Sequence, residues 1–199
     1  AERSRGPALG WLPVNAYEIQ ALKDMGIDLS RLGCVMLDVQ VPDLTAVIPP
    51  EWRYSSANPA RGWVNGLQTD GHVTLLYGLL SNANAIRPAV DEVLQGWEPG
   101  KTIEGDQITV FPSPWEDEPY SCIVSEGVLT RALRDAHARL SLLPHIDTHP
   151  TYRPHVTLAY VYRDRTEDAI YAIRRHYRAR DVLVPITFDV VGLNYGRPE

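Results

Sequence analysis

Two cysteines, Cys34 and Cys122, are all that this chain of 199 residues carries. So few, and so far apart, exclude a disulfide framework, and each sits in a strand-like run that reads as a buried thiol. Lysine is equally scarce, with only Lys23 and Lys101, so the basic charge is mostly arginine. A guanidinium fork can bind two phosphate oxygens at once. Positive charge as a whole is in deficit, 19 Lys and Arg against 25 Asp and Glu, for a net charge of −6. That balance speaks against a binder of long nucleic acid, which needs a basic surface, but leaves room for a small nucleotide in a local donor-rich pocket. No apolar run approaches the roughly 20 residues needed to span a bilayer, and residues 1–10 lack the apolar core of a signal peptide. The expectation is a soluble cytoplasmic protein without a membrane partner.

Hydrophobic residues make up 44% of the chain, enough for a sizeable core in one domain or in two half-size lobes that share it. Residues 1–13 read as a loose polar lead-in to a single domain spanning 1–199. A helical pattern over 15–25 ends at Gly26. A first strand is expected over 34–41, stopped by Pro42. Residues 49–66 read as a loop, rich in Pro, Asn and Gly, yet bearing Trp52, Tyr54 and Trp63. A strand over 72–80 precedes a helix over 84–97. Strands over 103–111 and 120–125 flank a hairpin-like excursion with Trp115 and three acidic residues. The apolar stripe of 128–143 marks the clearest helix. A strand over 155–161, a helix over 166–178 and a closing strand over 181–191 complete the order. This mixture predicts an α+β fold in which antiparallel sheets line a groove and helices cover their outer faces.

The chain repeats itself once. His72-Val73-Thr74-Leu75-Leu76-Tyr77 returns as His155-Val156-Thr157-Leu158-Ala159-Tyr160, 83 residues further on, with five of six positions identical. Both copies read as buried strands, and along a strand residues i and i+2 share a face. Each copy therefore sets an imidazole beside a hydroxyl. The same alternation places Tyr77 and Tyr160 on the face opposite Thr74 and Thr157, as packing residues. Two such couples suggest a duplicated lobe, with the histidines meeting at a central cleft; the structural alternative is a duplicated strand whose histidines are hydrogen-bonded in the core.

Two histidines around one phosphodiester can run a full acid–base cycle, because imidazole titrates near neutrality and both protonation states are accessible. The hydroxyls of Thr74 and Thr157 can donate to the nonbridging phosphate oxygens, where charge builds up. No metal or other cofactor is needed for this scheme.

Paired His-x-Thr motifs on hydrophobic strands resemble the 2H phosphoesterase family, whose members include cyclic phosphodiesterases acting on RNA ends and on 2′-5′ oligoadenylate. The resemblance implies a two-lobed α+β module with a pseudo-twofold cleft. In it, His72 and His155 would form the acid–base pair, and Thr74 and Thr157 would be the phosphate donors. The stretch Gly71-His72-Val73-Thr74-Leu75-Leu76-Tyr77-Gly78 is further similar to a phage branch, the anti-CBASS phosphodiesterases that cleave cyclic di- and trinucleotide immune signals. That branch implies action in the cytoplasm of an infected host. A ribose 2′-OH would attack the neighbouring 3′-5′ phosphorus, forming a 2′,3′-cyclic phosphate. An RNA-end 2′,3′-cyclic phosphodiesterase and a non-catalytic nucleotide-sequestering module are the alternatives; two matched proton handlers speak against the last.

Other residues have two readings each. Trp52, Tyr54, Trp115 and Tyr120 are candidate base stackers or packing residues. Arg153, two residues before His155, reaches a phosphate or forms a surface salt bridge. His145, Asp147 and His149 could hold a zinc-like ion, but the proline-bounded loop lacks the rigid element that would fix ligand geometry, so no metal site is expected. The run from Arg174 to Arg178 reads as the solvated face of a helix.

Overall fold

The computed structural model describes residues 23–26, 32–58, 62–80, 85, 87–127, 130–147, 151–180 and 182–196. The expected lead-in over 1–13 and most of the helix expected over 15–25 lie outside them. In chain order come β1 (Gly33–Gln40), a 3-10 turn (Pro50–Trp52), β2 (Ser56–Asn58), β3 (Gly62–Val64) and β4 (Asp70–Leu79). Then follow α1 (Arg87–Val93), β5 (Thr102–Pro112), β6 (Tyr120–Gly127), α2 (Arg131–Leu140), β7 (His155–Tyr162) and α3 (Thr166–His176). The chain closes with β8 (Arg178–Ala179), β9 (Val182–Leu183) and β10 (Ile186–Asn194). The expected α+β class is what is found. Two details differ. The 49–66 loop carries the small β2–β3 hairpin, and the closing strand begins after Pro185, whose missing N–H cannot join a ladder.

Six strands form one antiparallel sheet in the order β4-β1-β10-β5-β6-β7. Strand β10 joins its two halves: Ile186 to Asp189 pair with β5, while Asp189 to Asn194 pair with β1. The sheet curls, so β4 and β7, first and last in hydrogen-bonding order, pack beside each other. Gly71 makes this approach possible. A Cβ there would stand 2.6 Å from Val41 Cγ2 and 3.1 Å from Val156 Cγ1. The outer edge of β7 is covered by loop backbone: Tyr54 N–H donates to Tyr160 O (2.9 Å) and Gln68 N–H to Leu158 O (3.1 Å).

One face of the sheet carries the main core. Val35, Leu37, Val39, Val73, Leu75, Val156, Leu158, Ile186 and Phe188 pack there with Val90, Leu133, Ala136, Leu140, Ala169 and Ile173 of the helices. Each fully buried aliphatic or Phe side chain contributes about 1.5–3 kcal/mol. Helix α2 starts at Thr130, whose hydroxyl accepts from Leu133 N–H (3.2 Å), a standard N-cap. Among the described residues no helix is long and apolar enough to cross a membrane.

Candidate active site

Both repeat strands carry a β-bulge at the same position. Opposite β4, Val35 pairs with Leu76 and Met36 with Thr74, so Leu75 is skipped. Opposite β7, Ile123 pairs with Ala159 and Val124 with Thr157, so Leu158 is skipped. An extra residue in one strand shifts the side-chain alternation beyond it. Burial follows: Leu75 and Leu76 are both buried, as are Leu158 and Ala159. Each bulged leucine offers its carbonyl outside the ladder, Leu75 O to His137 Nδ1 (2.7 Å) and Leu158 O to Gln68 N–H.

The bulge overturns one sequence expectation. Strict alternation assigns Tyr77 and Tyr160 to the face opposite the threonines. The extra residue returns them to the His–Thr face, so Tyr77 pairs with Cys34 and Tyr160 with Cys122. Each repeat therefore presents His, Thr and Tyr in a row, away from the helix-packed core. The two rows begin side by side, since Gly71, preceding His72, lies against Val156, following His155.

Across the ladder stands a matching second row. Asp38, Met36 and Cys34 of β1 oppose His72, Thr74 and Tyr77. Glu126, Val124 and Cys122 of β6 oppose His155, Thr157 and Tyr160. Directly opposed residues have Cβ atoms about 4.5–5.5 Å apart, so each histidine has a carboxylate neighbour. The two carboxylates are held differently. Asp38 accepts from Asn194 Nδ2 at 3.2 Å to each oxygen, whereas Glu126 is ion-paired and hydrogen-bonded with Arg153.

His155 is further fixed in orientation. Its Nδ1 lies 2.9 Å from Arg153 O. A carbonyl only accepts, so Nδ1 carries hydrogen and the neutral ring has its lone pair at Nε2. The Phe111 ring meets the imidazole edge-on, with centroids 5.2 Å apart, and the Arg153 guanidinium lies 5.9 Å from the Phe111 centroid. Arg153 thus takes the salt-bridge arrangement. Cys122 Sγ lies 3.8 Å from Thr157 Oγ1, and Cys34, across from Tyr77, takes the matching place in the first repeat. Burial pushes both thiols up to about 12 and raises the phenols of Tyr77 and Tyr160.

The aromatic candidates divide. Tyr120 is buried, its ring 5.5 Å from Tyr160 and 5.4 Å from Tyr54, an environment that favours its packing reading over base stacking. Tyr54 is half-buried and also meets Tyr162 edge-on at 5.2 Å. Trp52 is half-buried against the main core. Trp115 sits in the β5–β6 turn, where its N–H donates to Ser113 Oγ (3.1 Å). His145 pairs with Asp147 (3.3 Å) and donates from Nδ1 to Leu143 O (2.8 Å); His149 lies outside the described residues. Arg174, Arg175 and Arg178 are exposed and line a cleft of about 720 Å³ between β5 and α3.

Sequence reasoning missed Asp38, Glu126, His137 and the placing of the two cysteines. A signal was present: Cys-x-x-x-acid occurs at Cys34–Asp38 and again at Cys122–Glu126, each ahead of its histidine repeat.

The model of the 2′-5′ RNA ligase superfamily matches residues 51–197. No curated protein matches the chain. Among solved structures it is similar to Usb1 of Kluyveromyces marxianus, at 10% identity and a TM-score of 0.45, over 84% of this chain and 95% of that one. The same protein with uridine monophosphate gives 10% identity, a TM-score of 0.39, and coverage of 73% and 78%. With the family match running through both histidine repeats, this chain belongs to the 2′-5′ RNA ligase superfamily and is a 2H phosphoesterase-type enzyme.

Proposed function

We propose that the chain is a metal-independent phosphodiesterase that cleaves 3′-5′ linkages of small cyclic oligonucleotides, the immune signals that phage enzymes of this type remove in the host cytoplasm. One observation carries the reading: two His-Thr rows, each on a bulged strand, start side by side on neighbouring strands. His72 and His155 are the acid–base pair. One takes the proton of a ribose 2′-OH, whose oxygen forms a bond to phosphorus. The bond from phosphorus to the 5′-oxygen breaks, and that oxygen takes a proton from the other histidine. A 2′,3′-cyclic phosphate remains on the opened chain. Thr74 and Thr157 donate to the nonbridging oxygens, where negative charge grows.

The acidic neighbours support this assignment of roles. A carboxylate beside an imidazole favours the charged ring and holds its orientation. The net negative balance of the chain supports a small substrate over a long RNA. Tyr54, Trp52, Trp115 and Arg153 remain the residues proposed to meet bases or phosphate at the margins of the rows.

The test is incubation of the purified chain, in a strong chelator, with cyclic di- and trinucleotides and with 2′,3′-cyclic nucleotides, followed by chromatography. Opened linear products from the cyclic oligonucleotides are expected. Turnover of the 2′,3′-cyclic nucleotides alone would mark an RNA-end enzyme instead, and binding without products would mark a sequestering module. Activity lost in chelator and restored by zinc would overturn the metal-independent scheme.

A further inference from the structure

We propose that Cys122 is a positioning residue that fixes the direction of the Thr157 hydroxyl. The proposal rests on the phosphodiesterase reading, in which this hydroxyl donates to phosphate.

A threonine hydroxyl has one hydrogen and two lone pairs, and it rotates to suit its surroundings. It donates to a phosphate oxygen only while that hydrogen is not spent on another acceptor. A backing group that itself donates occupies a lone pair and leaves the hydrogen for the substrate. Cys122 is placed to be such a group. Its thiol lies 3.8 Å from Thr157 Oγ1, within reach for sulfur. Tyr160 stands directly across the ladder from it. In this proposal the phenol, the stronger donor, gives its hydrogen to sulfur, and the S–H points to Thr157. The proposed chain runs Tyr160 O–H to Cys122 S–H to Thr157 O–H, with the half-buried Thr157 at its open end.

The bulge at Leu158 makes this possible, because without it Tyr160 would leave the face that Cys122 and Thr157 share. The first repeat is laid out alike: the bulge at Leu75 sets Tyr77 across from Cys34, on the face of Thr74. A thiol behind each threonine, in two lobes with otherwise different partners (Met36 in one, Val124 in the other), goes beyond filling space. Burial keeps both thiols protonated at neutral pH, so the donors persist where the enzyme works.

The experiment joins kinetics to a direct view of the S–H bond. Cyclic triadenylate and adenosine 2′,3′-cyclic monophosphate serve as probes. Cys122→Ala should lower kcat about tenfold, the weight of one hydrogen bond, with KM nearly unchanged. Cys122→Ser keeps a donor and should restore most of kcat. A residue that only fills space would give the reverse order, since serine buries a hydroxyl where alanine does not. In Cys34→Ala, the single remaining thiol should show a Raman S–H stretch lowered by hydrogen bonding, and Thr157→Val in that background should release it. Full kcat in Cys122→Ala, or an S–H band indifferent to Thr157→Val, would overturn the proposal. If wild-type chain turns over neither these probes nor other phosphodiesters, the phosphodiesterase reading falls and takes the relay's catalytic purpose with it, while the Raman band still reports whether the bond exists.

Discussion

Glu126 stands directly opposite His155 across the β6–β7 pair, as Asp38 stands opposite His72 across β1–β4. The two pairs occupy matching places in the repeats but are neutralised unequally. Glu126 has the Arg153 cation, while the Asp38 carboxylate has the neutral Asn194 amide. The two imidazoles therefore sit in different fields.

Removing either ring should stop the chemistry and spare the fold. His72→Ala and His155→Ala should each lower kcat at least about 10²–10⁴-fold. Both positions lie on the face away from the main core, so thermal unfolding should shift little and much of the ligand affinity should remain. Steady-state kinetics with parallel calorimetry checks this. A near-normal rate in either variant would defeat the paired acid–base scheme. The wild-type rate should trace a bell against pH.

Arg153→Ala should move that bell. Without the guanidinium, the Glu126 carboxylate is uncompensated beside His155, which favours the imidazolium. The limb belonging to His155 should shift to higher pH, and added salt should shrink the effect. The backbone carbonyl that accepts from Nδ1 is retained, so ring orientation is not the variable. An unshifted profile would show that the ion pair serves the surface alone.

His137→Phe should cost stability through the bulge of β4. The ring is stacked on Tyr152 with centroids 4.1 Å apart, and phenylalanine keeps that stack. It cannot donate to Leu75 O, so a buried acceptor is orphaned at a cost of about 1–3 kcal/mol. Urea unfolding measures the loss, and an unchanged midpoint would mean that the carbonyl finds another donor.

Alkali should destabilise the native state ahead of general denaturation. A cysteine in an unfolded chain ionises near about 8.5, whereas burial holds Cys34 and Cys122 up to about 12. Between those values the unfolded chain has released protons that the native chain keeps, so the unfolding free energy falls as pH rises. The stabilisation is intact below the lower value and declines toward the upper. Tyr77, Tyr152 and Tyr160, also raised by burial, extend the decline in the same direction. Urea midpoints taken from neutrality to alkaline pH check this; replacing both cysteines by alanine should flatten the first part of the slope.

Local order decided much of what was legible in the chain itself. Strand and helix order, the α+β class and the pairing of each His with a Thr follow from alternation and helical stripes, because both patterns express which side of a short segment meets water. Alternation assumes an unbroken ladder, however, and the bulges at Leu75 and Leu158 break it. Whether a residue is skipped depends on the partner strand and on outside donors such as His137 and Gln68, which lie far away in sequence. For the same reason only the folded sheet sets Asp38 beside His72, Glu126 beside His155 and a thiol behind each threonine: cross-strand neighbours are chosen by register, and register is a property of two strands at once.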